Sequence, residues 1–551
     1  MKFTDGFNLL ATAPDGIKRL RELILSLAVQ GKLVPQDPSD EPASELLKQI
    51  RAEKDRLIAG GKIRKNKEQL GIEESELRHE LPRGWQWARL GALGDWGAGA
   101  TPSRSNSSYY GGTIPWFKSG ELIGDYIDQS EETVTELALK ECSLRFNNVG
   151  DVLIAMYGAT IGKTAILNVE GTTNQAVCAC TPSSGLERKY LLLVLKALKP
   201  LFIGMGAGGA QPNISREKII GTVIGLPPLA EQSRIVAKVE ELMALCDALE
   251  TRGKLEAEQH ACLTATLFDA LAASESAHQL QENWARLANS FDLILDRPEA
   301  VDTLEQTLLQ LAVRGLLVPQ DPNDQPASEL LKQIRAEKDR LIAEGKIKKD
   351  KPLPEIGEDE KPFELPEGWE WARFAGVADI ASNLVNPSQY RDFQQVAPDS
   401  IEKYSGRMIV RRTVSEAGVT SANHLFTRGQ ILYSKIRPSL CKAVIVDFDG
   451  LCSADMYPIN SRIVIEYLHR FILSQVFLDQ VWVAENRVKM PKLNQEALNG
   501  FLIAVPPLAE QSRIVARVEA LRTVCADLRQ RLAASQKIQT HLAEALVETA
   551  A

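Results

Sequence analysis

The stretch "LPPLAEQSRIVAKVEEL" (226–242) returns as "VPPLAEQSRIVARVEAL" (505–521), and this repeat decides how the chain folds. After each double proline, apolar residues recur at spacings of four and three, the seam pattern of a coiled coil. Proline ends the preceding strand and suits a first helical turn, because no N–H partner is needed there. The seam residues are Ile235, Val239, Leu242, Cys246 and Leu249, and then Ile514, Val518, Leu521, Cys525, Leu528 and Leu532.

Two further stretches of the sequence are repeated. "ASELLKQIRAEKDRLIA" occurs identically at 43–59 and 327–343, and "ELPRGWQWAR" (80–89) returns as "ELPEGWEWAR" (364–373). Between these near-identical frames lie two divergent segments, insert 1 (90–225) and insert 2 (374–504), the second five residues shorter. We therefore expect the frames to share one structural task and the inserts to perform two versions of another.

The predicted fold class is α+β: two α+β domains alternate with long antiparallel coiled-coil helices in a pseudo-twofold internal repeat. Both inserts contain short β-branched runs broken by glycine, and each then changes to a helix, predicted at 186–200 and 465–481. The paired tryptophans that open each insert are expected in the core. The predicted segments are a helical region (1–79), a first α+β domain (80–226), a central helical region (227–363), a second α+β domain (364–505) and a C-terminal coiled-coil helix (506–551).

Composition restricts the class of protein. The net charge of −8 over 551 residues argues against a protein that coats nucleic acid non-specifically. The eight cysteines form no C-x-x-C pair and are interpreted as reduced thiols, with a metal site at Cys178 and Cys180 as the minor alternative. No secretory signal is visible, and no stretch approaches the ~18 apolar residues of a membrane span. We expect a cytoplasmic protein.

One motif resembles a nucleotide-binding loop. In "MYGATIGKTA" (156–165), Gly158 and Gly162 are separated by three residues, whereas the phosphate loop needs four. The counterpart in insert 2, "RPSLCKA" (437–443), lacks both glycines but keeps a lysine. The sequence therefore predicts a strand-turn-strand tip rather than a catalytic phosphate site.

Polar and basic residues in the inserts suit DNA. Residues 401–446 carry a net charge of +6, and Arg and Lys both position phosphates and read guanine. Insert 1 is richer in amides and hydroxyls, which pair with adenine or hold phosphates. Composition alone leaves DNA binding and ordinary surface equally open. The candidate DNA contacts are Ser103, Arg104, Asn106, Tyr109, Lys118, Tyr157, Lys163, Asn174, Gln175, Gln211, Asn213, Asn383, Tyr390, Arg411, Arg412, Lys435, Arg437, Lys442, Lys489 and Lys492.

The mosaic as a whole resembles the specificity subunit of a type I restriction-modification system. The motifs that carry the resemblance are "TPSRSNSSYYGGTIPWFKSGEL", "IGKTAI", "TNQAV", the two "PPLAEQSRIV" stretches and the duplicated "LVPQDP" blocks. The resemblance implies that each α+β domain is a target-recognition domain that reads one half of a bipartite, asymmetric site in double-stranded DNA. It also implies two modification (methyltransferase) subunits docked on the helices and two restriction (translocase-nuclease) subunits. S-adenosylmethionine, ATP and magnesium would belong to those partners. Insert 2 departs from the family pattern at "SNLVNPSQYRDFQQV" (382–396).

Other classes of function make different demands on the sequence. The chain has no N-P-P-Y or D-P-P-Y methylation motif and no glycine-rich cofactor loop after a strand, so we do not expect an enzyme. A helical scaffold whose inserts bind protein is the alternative, and its binding would change little with salt. The same recognition module serving a fused methyltransferase-nuclease is a further alternative.

Overall fold

The computed structural model describes residues 9–63, 71–206, 212–274, 276–345, 352–485 and 492–550. The chain forms two compact units: unit 1 comprises Met1–Leu255 with Gln536–Ala551, and unit 2 comprises Glu256–Ser535. Each unit contains one insert, the first part of one long helix and the last part of the other. This distribution is the one expected of long helices that pair antiparallel.

The long helices follow directly from the double prolines. Rod 1 (Leu229–Ala272) and rod 2 (Leu508–Ala550) begin immediately after them. The predicted seam is confirmed, because its first members are buried on both rods. These buried seam residues are Ile235, Val239 and Cys246 on rod 1 and Ile514, Val518 and Cys525 on rod 2.

Shorter helices pack against the rods within each unit. Docking helix 1 (Gly16–Val29) shares a hydrophobic core with rod 1 in unit 1. Docking helix 2 (Pro298–Val313) does the same with rod 2 in unit 2. The identical 17-residue sequences form matching helices, Ala43–Ala59 and Ala327–Ala343. Unit 2 has two further helices, Ala277–Ala288 and Phe291–Ile294.

Both inserts are built on a central antiparallel sheet with the same strand order. In insert 1 the order is Gly94–Ala98, Val177–Pro182, Val152–Ala155, Thr164–Leu167 and, pairing parallel at the edge, Tyr126–Ile127. In insert 2 it is Ala378–Ile380, Met456–Ser461, Ile431–Ser434 and Ala443–Ile445. Corresponding residues pair in register, as Gly94 with Pro182 and Ala378 with Ser461. A two-stranded ribbon joins each insert to its frame, Gln86–Arg89 with Val223–Leu226 and Glu370–Arg373 with Leu502–Val505.

The inserts differ in a second, accessory sheet. In insert 1 it has three strands, Glu132–Val134, Tyr110–Phe117 and Thr172–Thr173. In insert 2 it has five, Leu384–Val385, Asn423–Phe426, Gly450–Cys452, Gln394–Val396 and Arg412–Thr413. One parallel pairing is common to both, since Trp116 faces Thr172 and Gln395 faces Leu451. The five-residue length difference therefore falls in the loop before this pairing.

The insert helices correct one prediction. The helix predicted over 465–481 is two helices, Ile465–Ile472 and Gln475–Glu485. Ser474 breaks it, because its hydroxyl donates to the Phe471 carbonyl at 2.7 Å. In insert 1 the predicted helix over 186–200 is Arg188–Ala197, followed by Lys199–Gly206. The remaining insert helices are Glu136–Glu141, Arg216–Gly221, Phe374–Val377, Val414–Ala417 and Gln495–Gly500.

Each rod is tied to its insert by the "EQ" pair at its start. Gln511 accepts a hydrogen bond from the Val464 amide at 2.9 Å, and Gln232 accepts one from the Glu187 amide at 2.8 Å. In unit 2 the Trp369 indole N–H also donates to the buried Glu510 carboxylate at 3.0 Å. Of the paired tryptophans predicted in the core, Trp85 and Trp369 are buried as predicted, whereas Trp87 and Trp371 are half-buried.

None of the described helices is long and apolar enough to cross a membrane.

Candidate nucleic-acid interface

Each central sheet carries a hairpin tip that connects two of its antiparallel strands. Tip 1 (156–163) follows Val152–Ala155, and tip 2 (435–442) follows Ile431–Ser434. The predicted strand-turn-strand arrangement is therefore confirmed. No helix starts at Lys163-Thr164, as a phosphate loop would require, and a strand begins at Thr164 instead.

Both tips pair with the segment that precedes the last helix of their insert. Tyr157 forms an isolated bridge with Asn213, and Ile436 forms the same bridge with Lys492. The neighbouring hydrogen bond is also shared, because the Leu493 amide donates to the Lys435 carbonyl at 2.8 Å and Ile214 repeats this in insert 1. One backbone framework thus brings Tyr157 and Asn213 together in insert 1. In insert 2 the same framework brings the backbone of Lys435 and Ile436 next to Lys492.

The two tips share a backbone conformation that explains the glycines. Gly158 and Gly162 have φ of 61° and 77°, and their counterparts Arg437 and Cys441 have φ of 45° and 44°. Left-handed backbone costs a non-glycine residue roughly 1–2 kcal/mol. Glycine in tip 1 therefore serves the turn. In tip 2 an arginine holds the same strained position, and strain of this kind concentrates at functional sites.

The side chains on this shared framework differ in chemistry. Tip 1 presents Tyr157, which is 42% exposed, beside the exposed amide of Asn213. Tip 2 presents the exposed Arg437, and Lys435 Nζ lies 5.3 Å from the centre of the Tyr457 ring.

A carboxylate completes the chemistry of tip 2. Lys492 Nζ lies 3.1 Å from Asp455 Oδ1, and the Lys435 amide donates to the Asp455 carbonyl. Tip 2 is thus a small charged cluster, whereas the counterparts of Arg437, Asp455 and Lys492 in insert 1 are Gly158, Ala176 and Asn213, none of which is charged.

A second group of candidates lies around the accessory sheet of insert 1. Arg104 and Lys118 both contact the Glu132 carboxylate, at 2.6 Å and 3.1 Å. These hydrogen bonds lower the pKa of Glu132 to about 2. The Arg104 guanidinium also lies 4.5 Å from the centre of the Tyr110 ring. Glu132 therefore orients both cations and offsets part of their charge.

The basic stretch of insert 2 is less basic in the fold than in the sequence. Arg411 lies 3.5 Å from Asp447, and Arg412 lies 2.6 Å from Asp399. Both carboxylates fall just outside residues 401–446, so the charge count over that window missed them. The net charge of +6 over residues 401–446 therefore overstates the local positive charge around Arg411 and Arg412. Lys442, the counterpart of Lys163, donates to the Pro398 carbonyl at 2.6 Å.

The remaining candidates are divided between local hydrogen bonds and open surface. Ser103, Asn106 and Tyr109 bond to Ser105, Ser108 and Glu141, and Asn174 accepts from the Ala176 amide. Tyr390 packs on Phe393 and Lys163 is half-buried, whereas Gln175 and Asn383 are exposed. Gln211 and Lys489 lie outside the described residues.

Sequence reasoning missed the partners of these cations. Glu132, Asp455 and Tyr457 were not candidates, although each contacts a residue that was. The internal repeat held the signal for two of them, because the same 279-residue offset aligns Asp455 with Ala176 and Tyr457 with Cys178. Charged and aromatic residues in place of small ones next to the tip mark positions where the inserts diverged.

The cysteines do not form a metal site in the part of the chain that the structure describes. Both thiols are buried, and burial raises the pKa of the Cys178 thiol to about 12 and the pKa of Cys180 well above its ordinary value. Metal ions bind the thiolate. Across the described residues no cluster of His, Cys, Asp and Glu has metal-binding geometry.

The chain is a duplicated protein. Its two α+β domains share one framework, carry different tips, and are each joined to a helical rod. The family model "Type I restriction modification DNA specificity domain" matches residues 82–259 and again 366–535. The EcoEI specificity subunit of Escherichia coli is 35% identical over 97% of this chain and 94% of its own length. The EcoAI specificity subunit of the same organism is 36% identical over the same shares. A chain from a solved type I restriction-modification structure covers 86% of this chain and 99% of its own length, at 17% identity and a TM-score of 0.47.

The chain therefore belongs to the type I restriction enzyme specificity subunits. It is the DNA-recognition subunit of a type I restriction-modification system.

Proposed function

We propose that each insert reads one half of a bipartite, asymmetric DNA site and that the hairpin tip is a main reading element of each. The observation that carries this proposal is the pair of tips, which keep one backbone and exchange their side chains. A shared framework supports a shared task, and different side chains support different base sequences. The rods would fix the distance between the half-sites.

The tips suggest which chemistry each half uses. Arg437 is suited to bidentate contact with guanine, and Lys435 and Lys492 are suited to phosphates. In insert 1, the Asn213 amide is suited to an adenine edge and the Tyr157 hydroxyl to a phosphate. Arg104 and Lys118 would add phosphate contacts, because Glu132 holds both side chains in place.

The remaining candidates complete the proposed interface. Their side chains would hold the DNA backbone around the tips rather than select bases. They are Ser103, Asn106, Tyr109, Lys163, Asn174, Gln175, Asn383, Tyr390, Arg411, Arg412 and Lys442, with Gln211 and Lys489 outside the described residues.

The rods are proposed as docking surfaces for two methyltransferase subunits. Leu229 and Leu245 on rod 1 are exposed, and so are their counterparts Leu508 and Val524 on rod 2. Exposed apolar residues at matching positions support equivalent partners on both rods. Two restriction subunits would join them. The chain itself would be non-catalytic, with S-adenosylmethionine, ATP and magnesium held by those partners. The cytoplasmic location stays a prediction.

Reconstitution tests the proposal. The chain would be combined with its cognate methyltransferase subunit, and methylated adenines would be mapped across a genome. A bipartite consensus with a fixed gap is expected. Methylation without a consensus would overturn the proposal. Binding should also weaken steeply as salt rises, whereas a protein-binding scaffold would change little.

A further inference from the structure

The docking helices raise a problem of self-recognition. Docking helix 1 packs on the first half of rod 1 and docking helix 2 on the first half of rod 2, through apolar residues at matching positions, and each core also includes residues from the end of the other rod. Leu20 and Leu304 correspond on the docking helices, and Cys246 and Cys525 correspond on the rods. Since the apolar contacts are so similar, they discriminate poorly between a docking helix and the wrong rod.

The ion pairs beside these contacts have opposite polarity in the two units. In unit 1, Arg21 on the docking helix lies 2.7 Å from Asp247 and 3.1 Å from Glu250 on the rod. In unit 2 the docking helix carries the acid, because Glu305 lies 3.1 Å from Arg529 on the rod.

The reversal occurs at corresponding positions. Arg21 and Glu305 occupy the same place in the 284-residue repeat, and Glu250 and Arg529 occupy the same place in the 279-residue repeat. Both pairs have an N···O distance of 3.1 Å, so geometry is kept while the charges are exchanged.

The neighbouring residues extend the reversal. Unit 2 adds Arg522, which lies 2.6 Å from Glu305, and Asp302, which lies 2.6 Å from Arg529. The corresponding residues in unit 1 are Met243 and Lys18. The side chains of Glu305 and Arg522 are only 13% and 16% exposed, so a mismatched charge there would be poorly solvated.

We propose that this reversed polarity decides which docking helix packs on the first half of which rod. A docking helix 1 placed on rod 2 would bring Arg21 against Arg529. A docking helix 2 placed on rod 1 would bring Glu305 against Asp247 and Glu250. Like charges at these contacts oppose exchange of the docking helices, either within one chain or with a second copy of the chain. The device does not depend on what the inserts bind.

The test makes the interface between docking helix and rod carry the same charges in both units. Each ion pair still joins opposite charges. The matched variant of the full chain carries D302K, E305R, R522M, A526D and R529E, which give unit 2 the side chains of unit 1. The control carries these five changes together with K18D, R21E, M243R, D247A and E250R. The two units have then exchanged their charges, so their polarities are still opposite to each other.

Each protein would be unfolded in denaturant, refolded at several concentrations and sized by chromatography with light scattering. The matched variant is expected to give roughly ten times more exchanged oligomer than wild type, the factor that corresponds to about 1.4 kcal/mol. The control should refold like wild type. Loss of soluble protein from the matched variant alone counts as mispairing. The proposal is overturned if the matched variant refolds like wild type, or if the control fails equally.

Discussion

Tip 1 and tip 2 have the same backbone and different surfaces. The bridge from Tyr157 to Asn213 returns as the bridge from Ile436 to Lys492, and the left-handed residues fall at the same two places. Yet tip 1 uses glycine where tip 2 uses Arg437. The comparison teaches that the fold fixes where the tip residues stand, and that one framework carries different side chains in the two inserts.

The frames show the opposite behaviour. Trp369 and Trp85, and the "EQ" pairs at the rod starts, occupy the same buried positions in both units. They hold an insert on a rod, and they have this role in both units. The following substitutions test this contrast between constant frames and variable tips.

Replacement of Trp369 with alanine should have the largest effect on stability. The indole is buried and donates to Glu510, so its loss is expected to cost about 3–5 kcal/mol. Trp85→Ala should cost unit 1 a similar amount. Denaturant unfolding would measure both. The half-buried Trp371 serves as control and should cost less; equal losses would mean that the frame tryptophans are not the anchors.

Arg437→Gly should separate recognition from stability. We expect DNA affinity to fall roughly 10- to 100-fold, the range for loss of a bidentate base contact. Stability should stay equal or rise by up to about 1 kcal/mol, because glycine relieves the left-handed strain at an entropic cost. Equilibrium binding and thermal unfolding provide the two measurements.

Gly158→Ala is the matched control for Arg437→Gly. A Cβ at Gly158 meets open space, so only the left-handed backbone opposes it, and a loss of about 1 kcal/mol is expected. If Arg437→Gly destabilised the protein while DNA affinity stayed unchanged, Arg437 would be structural.

Lys492→Asn gives tip 2 the residue that tip 1 has at the corresponding position. Loss of one phosphate contact should reduce the slope of log affinity against log salt by about 1. The reciprocal change, Asn213→Lys, should increase the slope by about 1. Titrations at several salt concentrations would show both. An unchanged slope in each case would place these residues away from DNA.

Glu510→Gln should have the smallest effect, on the pH dependence of stability. Burial raises the pKa of Glu510. A carboxyl with a raised folded-state pKa contributes stability below its unfolded pKa and loses it as pH rises through the folded value. Wild type should therefore lose more stability than Glu510→Gln between about pH 4 and pH 7. Tm would be measured against pH for wild type and for Glu510→Gln. Parallel curves would contradict the raised pKa of Glu510.

The sequence predicted the frames better than the tips, for physical reasons. Heptad spacing and proline placement are local signals, so the start of both rods after the double prolines and the extent of the C-terminal rod were predicted. The turn at Gly158 and Gly162 was also recognised, because its counterpart lacks the glycines. The ion pairs of Arg411 and Arg412 depend on carboxylates that the fold brings in from outside the basic stretch. Contacts such as Glu132 with Arg104 arise only when the accessory sheet forms.

The exchange of a complete insert tests the central claim most directly. Residues 90–225 would be replaced by the corresponding insert of another specificity subunit, and methylated sites would be mapped with the cognate methyltransferase. We predict that one half of the recognised site changes while the other half and the gap stay the same. A change in both halves, or in neither, would contradict the assignment of one insert to one half-site.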